Sequence, residues 1–191
     1  MEADWEFELG ADAAGLPAPV IDAHWPGFVD LRLAPARAWD LPESVRLPAL
    51  AEALAKLNSS GSPVWTSKCD FWESLKPDEF DPDELAAPPG CAAHAMGCYI
   101  DLLSASGQQW PSPDIAAAAC KRLCILLRAV PLRSCRADLI VRHAFIAPGL
   151  MELGISAYLT ACGESRAKAA LAFQAALAAF ADVLSGCSTL K

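Results

Sequence analysis

Cys98-Tyr99-Ile100-Asp101-Leu102-Leu103, followed after a short polar gap by Ser112-Pro113-Asp114-Ile115, is the stretch on which the fold turns. The first run is rich in aromatic and β-branched residues and reads as a strand. The second is a helix start. Serine stands at the cap, proline at the first helical position, and an acid lies in the positively polarised first turn. Ile115, Ala119, Leu123, Leu126, Leu127 and Val130 then recur at helical spacing up to Pro131.

Moving outward toward the C-terminus, residues 137–146 predict a strand, Ala147-Pro148-Gly149 a connection, and residues 154–162 a second strand. The run from 167 to 184 carries Lys168, Gln174 and Asp182 among large apolar side chains at helical spacing. It reads as part of a long buried helix over 164–185 rather than a membrane span, which needs about 18 or more uninterrupted apolar residues. Its apolarity extends around much of the circumference, which suggests cover on more than one side and raises the expectation of a homodimer.

Toward the N-terminus, Trp5, Phe7 and Leu9 alternate with Glu6 and Glu8, the period-2 pattern of a half-buried edge strand. Residues 20–33 are β-rich but interrupted at Pro26-Gly27, which predicts a bend followed by a strand segment over 28–33. Leu47, Leu50, Leu54 and Leu57 predict an amphipathic helix, stopped by Asn58-Ser59-Ser60-Gly61-Ser62-Pro63, and residues 64–72 a further strand. Residues 76–97, with Pro77, Pro82, Pro88, Pro89 and Gly90, form a polar connector with at most a short helix around 83–87.

The connector divides the chain into pseudo-halves of about 1–75 and 98–191 within one domain spanning 1–191. Gly27-Phe28-Val29-Asp30-Leu31 resembles Cys98-Tyr99-Ile100-Asp101-Leu102, and a loop, a helix and a strand follow each. Either an internal repeat or two generic strand–helix–strand units would produce that order. The expected class is α+β: a mixed sheet from two β-α-β-type, ferredoxin-like halves, with helices mainly on one face. The second half lacks a fourth strand, to be supplied by the N-terminal strand or by the first half.

At 191 residues, 54% of them hydrophobic and 20% charged, the chain has enough apolar material for one well-filled core. Fifteen basic residues are scattered among 23 acidic ones, for a net charge of −8. That balance excludes a broad nucleic-acid or anionic-membrane surface and leaves a small polar molecule or a protein as the expected partner. The acidic N-terminus has no signal-like h-region, so the expected setting is cytoplasmic and the eight cysteines are expected as reduced thiols, mostly core filler.

Alternation assigns chemistry to one sheet face. Each strand has an apolar side suited to helices and a mixed side, and the mixed sides carry Asp30, Arg32, Lys68, Asp70, Trp72, Tyr99, Asp101, Arg142 and Tyr158. On residues 64–72, Val64, Thr66, Lys68, Asp70 and Trp72 are expected together, opposite Trp65, Ser67, Cys69 and Phe71. A solvated face would carry paired charges, but it has little reason to carry aromatic residues. The mixed side is therefore either a solvated face with charges paired across strands or, as its aromatic residues support, the floor of a ligand site or a partner-covered face, centred on Lys68, Asp70, Trp72 and Asp101.

The expected function is non-catalytic binding. A small enzyme is the alternative, with Asp30 or Asp101 as general base and Lys68 or Arg142 stabilising negative charge. No cofactor is expected. Cys91, His94 and Cys98 have zinc-like spacing but no fourth local ligand, which makes them the weaker candidate site. His143 is expected as a core histidine, and His24, at the bend before Pro26, as a residue at a pocket mouth.

Overall fold

The computed structural model describes residues 1–12, 15–75, 79–105 and 110–187. The strand–helix–strand–strand–helix order read from the second half is present: β4 (His94–Ser104), α3 (Pro113–Arg128), β5 (Cys135–Ala147), β6 (Leu150–Gly163) and α4 (Arg166–Gly186). Before them come β1 (Glu2–Glu8), β2 (Ile21–Asp22), a 3-10 helix at Pro35–Asp40, α1 (Pro42–Arg46), α2 (Pro48–Leu57) and β3 (Val64–Trp72). The connector therefore ends at residue 93, and residues 82–86 within it are turn, with no helix over 83–87.

The class is α+β, with one six-stranded mixed sheet in the order β1-β5-β6-β4-β3. β1 runs parallel to β5, while β5, β6, β4 and β3 alternate in direction. β2 pairs with Ala144 and Phe145, continuing the edge that β1 leaves after Arg142. The strands of the first half, β1 and β3, thus lie on opposite edges of the sheet, and the strands of the second half sit between them.

Helix positions follow from local chemistry. Ser112 caps α3 by accepting from the Ile115 amide, and Ser165 caps α4 by accepting from the Lys168 amide. Pro113 takes the first turn of α3, where a missing N–H costs nothing. α2 ends at Asn58, whose buried side chain donates to the Leu54 carbonyl (2.8 Å) and to Thr66 Oγ1 (2.7 Å) and accepts from the Thr66 amide (3.0 Å). One residue thereby ties the helix end to the start of β3.

Met96, Cys98, Ile100 and Leu102 of β4, Ala137, Leu139 and Val141 of β5, and Ile155, Ala157, Leu159 and Ala161 of β6 share one apolar core with Leu50 and Leu54 of α2, Leu123 and Leu127 of α3, and Phe173, Leu177 and Phe180 of α4. α4 packs against β6, β4, α2 and α3, which bury Phe173, Leu177 and Phe180, while Leu171 on the same helix stays exposed. Among the described residues it is also the one helix long and apolar enough to cross a membrane.

Two expectations are corrected. Residues 28–33 are not a strand. Phe28 packs on Trp65, Leu31 joins the main core, and Asp30 accepts from the Arg32 amide and guanidinium two residues on, so local bonds replace a ladder. The likeness between 27–31 and 98–102 therefore joins a turn segment to a central strand.

The second correction is a β-bulge. Thr66 pairs with Leu102 and Cys69 with Ile100, so Ser67 and Lys68 together stand opposite Asp101. The extra residue reverses the alternation partway along β3. Trp65 accordingly shares the face of Leu103, while Cys69 and Phe71 face the helix side with Ile100 and Cys98.

Candidate functional site

The sheet face away from the helix core is covered at both ends by irregular chain. At one end Ile21, Ala23 and Phe28 pack on Trp65, Leu103 and Ala144. At the other, Leu75, Phe80, Leu85, Ala87 and Ala92 pack on Ala95 and Cys162. Both covers come down on a glycine. A Cβ at Gly154 would lie 2.7 Å from Ile21 Cδ1, and one at Gly97 3.2 Å from Leu75 Cδ1. Missing side chains in the floor are what let the covers seat closely.

Beside the first cover lies a cavity of about 240 Å³ whose lining includes Asp22, Trp25, Lys68, Tyr99, Asp101, Arg142, Ser156 and Tyr158. Five of the side chains expected on this face, Lys68, Tyr99, Asp101, Arg142 and Tyr158, therefore converge. Trp72 stands outside the cavity lining but stacks on Tyr99 at 6.0 Å, and Tyr99 on Tyr158 at 5.8 Å, forming an aromatic row across β3, β4 and β6. Arg142 continues the row. Its guanidinium carbon lies 5.6 Å from the Tyr158 ring centroid, and it donates to the Tyr158 hydroxyl (3.2 Å) and to Glu8 of β1 (2.5 and 2.8 Å).

Asp101 sits at the centre, 7% exposed, and accepts a 2.5 Å hydrogen bond from the Ser156 hydroxyl. Burial pushes its carboxyl above the ordinary value, against the opposing pull of that bond and of the Arg142 and Lys68 charges. Burial also raises the Tyr99 phenol, aided by the negative charges of Asp101 and Asp70, so Tyr99 is a neutral ring and a donor at neutral pH. Lys68 makes no ion pair among the described residues. Its ammonium lies 5.9 Å from the Trp25 ring centroid, within cation–π reach.

The remaining candidates lie elsewhere. Asp70 is in register with Tyr99, but it is exposed and accepts from the Phe71 amide. Asp30 and Arg32 pair with each other in the turn, with a 2.7 Å salt bridge. The Arg32 guanidinium stacks 3.9 Å over Trp65, at the covered end of the sheet. Cys91, His94 and Cys98 do not converge. Cys98 is buried in the helix-side core, where burial raises its thiol, and His94 is exposed at the start of β4. Among the described residues no group of three His, Cys, Asp or Glu is placed to hold a metal ion. His24 is exposed, hydrogen-bonds the Ile146 carbonyl, and meets Phe28 edge-to-face rather than lining this cavity.

Sequence reasoning missed Trp25, Asp22 and Ser156. Ser156, two residues from Tyr158 on β6, shares its face by alternation but lacks the charge or ring that marks a site residue. Trp25 and Asp22 lie in irregular chain, where no periodicity places a side chain. The lining supplies flat surfaces at Trp25, Tyr99 and Tyr158, donors at Lys68 and Arg142, and a protonatable acceptor at Asp101, which Ser156 holds by its one hydroxyl hydrogen. No protein-family model matches this chain, and no curated protein or solved structure matches it either.

Proposed function

We propose that the protein binds a small, planar, polar molecule in the sheet-face cavity, with the ring against the Tyr99–Tyr158 row and Trp25 and its polar edge toward Asp101 and Lys68. The observation that carries this is the convergence of Lys68, unpaired among the described residues, with buried Asp101 beside stacked tyrosines. Two basic side chains (Lys68, Arg142) and two acidic ones (Asp22, Asp101) line the cavity. That balance favours an uncharged head group able to donate and accept over a strongly charged ligand.

On the architecture, we read β3 through α4 as a single ferredoxin-like arrangement in which β3, from the first half, takes the place of the fourth strand. β1 then extends the opposite edge. This fold-level reading carries no function.

Benzamide and its saturated counterpart cyclohexanecarboxamide, titrated against tryptophan fluorescence and NMR shifts, test the binding reading. Benzamide is expected to bind more tightly, to perturb Trp25, and to weaken at least fivefold in Lys68→Gln and in Tyr158→Ala. Equal binding of the two compounds, or shifts remote from the cavity, overturns it.

A second reading rests on Asp101 alone. A buried carboxyl hydrogen-bonded to Ser156, its proton held more tightly than usual by burial, is suited to general acid–base work, with Lys68 beside it to stabilise developing negative charge. Asp101→Asn separates the two readings. Turnover of any ligand found would be lost in an enzyme, whereas a binding site keeps most of its affinity.

A further inference from the structure

A second cavity, of about 320 Å³, lies around the outer edge of β3, between residues 25–31, the 3-10 helix with α1, and α2. Its walls include Val29, Leu31, Leu41, Leu54 and Cys69. Trp25 and Lys68 line this cavity and the sheet-face one alike, so the two adjoin there. The bulge makes that junction. By inserting one residue opposite Asp101, it turns β3 so that Cys69 faces the helix side while Ser67 and Lys68 stand at the boundary. Trp25 is fixed in place, donating its indole N–H to the Ser67 carbonyl at 3.3 Å.

We infer that this second cavity is an apolar subsite, so that the ligand of the sheet-face cavity is an amphiphile whose alkyl or aryl tail passes Lys68 and Trp25 and lies among Val29, Leu31, Leu41 and Leu54. The inference rests on the binding reading above and adds a substrate class to it. Its volume is at the lower end for small-molecule sites, about 300–1,000 Å³, and suits a short tail rather than a long acyl chain. The charged side chains of its lining balance, Arg37 and Lys68 against Asp40 and Glu43, so the tail meets no net charge. Cys69 offers a reporter within the wall. It is only partly exposed, and burial pushes its thiol up to about 12, so its alkylation is slow, while Cys91, also partly exposed, lies outside this cavity.

Benzamide, 4-propylbenzamide and 4-hexylbenzamide test this on the full chain. Affinity is expected to rise by roughly fourfold per methylene over the first few carbons. Val29→Trp and Leu41→Trp, two fillings from different walls, are each expected to abolish that gain while leaving benzamide itself unaffected. In parallel, 4-hexylbenzamide should slow iodoacetamide labelling of Cys69 at least threefold and leave Cys91 unchanged, as read by peptide mass spectrometry. Benzamide binding with no gain from the tail overturns the subsite and leaves the head-group reading standing. A tail-dependent gain that both fillings abolish but that is indifferent to Lys68→Gln and Tyr158→Ala keeps the subsite and removes the head-group reading. A gain that survives both fillings, or no binding by any of the three compounds, overturns the subsite.

Discussion

Gly154→Ala tests whether the first cover is seated by the missing side chain beneath it. The added methyl would stand 2.7 Å from Ile21 Cδ1, 3.1 Å from the Leu102 carbonyl oxygen and 3.1 Å from Leu103 Cδ2. The carbonyl belongs to a central strand and cannot withdraw, so the strain must fall on Ile21 and the cover it anchors. Overpacking of this kind costs roughly 1–3 kcal/mol. Gly154 has no positive φ, so alanine fits the backbone and recovers about 0.4–1 kcal/mol by restricting the unfolded chain.

The net expectation is a loss of about 0.5–2 kcal/mol. At about 2–4 °C per kcal/mol for a chain of this size, the melting temperature should fall by roughly 1–8 °C. Ile21→Val removes the closest atom. Alone it should cost about 0.5–1.5 kcal/mol, and combined with Gly154→Ala the two losses should sum to more than the double variant loses, by at least about 0.5 kcal/mol. Calorimetry and urea denaturation of the four proteins measure this. Strict additivity, or a Gly154→Ala variant as stable as its parent, would refute the seating argument.

Three further outcomes are expected. Asp101→Asn should raise stability at pH 7 by thermal denaturation. The folded chain holds the Asp101 proton more tightly than the unfolded chain, so wild-type stability falls as pH rises from the unfolded value of about 3.9 through the raised folded one. The gain should shrink to nothing at pH 3, and a destabilised variant at pH 7 would show that the Lys68 and Arg142 charges outweigh burial. Asn58→Ala should cost roughly 2–4 kcal/mol in urea, since it strips partners from the buried Thr66 amide and hydroxyl at the α2–β3 junction; a loss below about 1 kcal/mol would contradict that role. Glu8→Gln should cost no more than about 1 kcal/mol, because its partner Arg142 keeps the Tyr158 hydroxyl and Glu8 itself is partly exposed; a larger loss in 0.5 M salt would show that the pair does more than brace the edge.

The sequence was legible where periodicity or capping chemistry acts within one segment. Ser112-Pro113-Asp114 marked the start of α3 because a cap is a local hydrogen-bond arrangement. Alternation placed Tyr99, Asp101, Arg142 and Tyr158 on one face because β4, β5 and β6 keep unbroken register across those residues. Alternation failed at β3, where a bulge leaves no composition signal, so Trp65 was expected on the wrong side. It failed again at 28–33, where Phe28, Val29 and Leu31 are apolar for reasons of tertiary contact and not because of a pleat.

These failures share a cause that bears on the site. A flat alternating sheet would have left Lys68, Asp70, Trp72 and Asp101 as an open polar surface, and no cavity would follow from it. Depth comes from irregular chain. Pro19, Val20, Ile21, Asp22 and Trp25 form one wall, the bulge sets Ser67 and Lys68 opposite Asp101, and Gly154 admits Ile21 from above. Irregular segments are held by specific contacts instead of repeating ladders, so each contact can be altered separately from the sheet. Moving the cover through Gly154 should therefore change ligand affinity while β4 and β6 keep their pairing, whereas Asn58→Ala should lower stability with affinity changed only through the unfolded fraction. A site built by the sheet alone would show the reverse, with affinity following global stability in both variants.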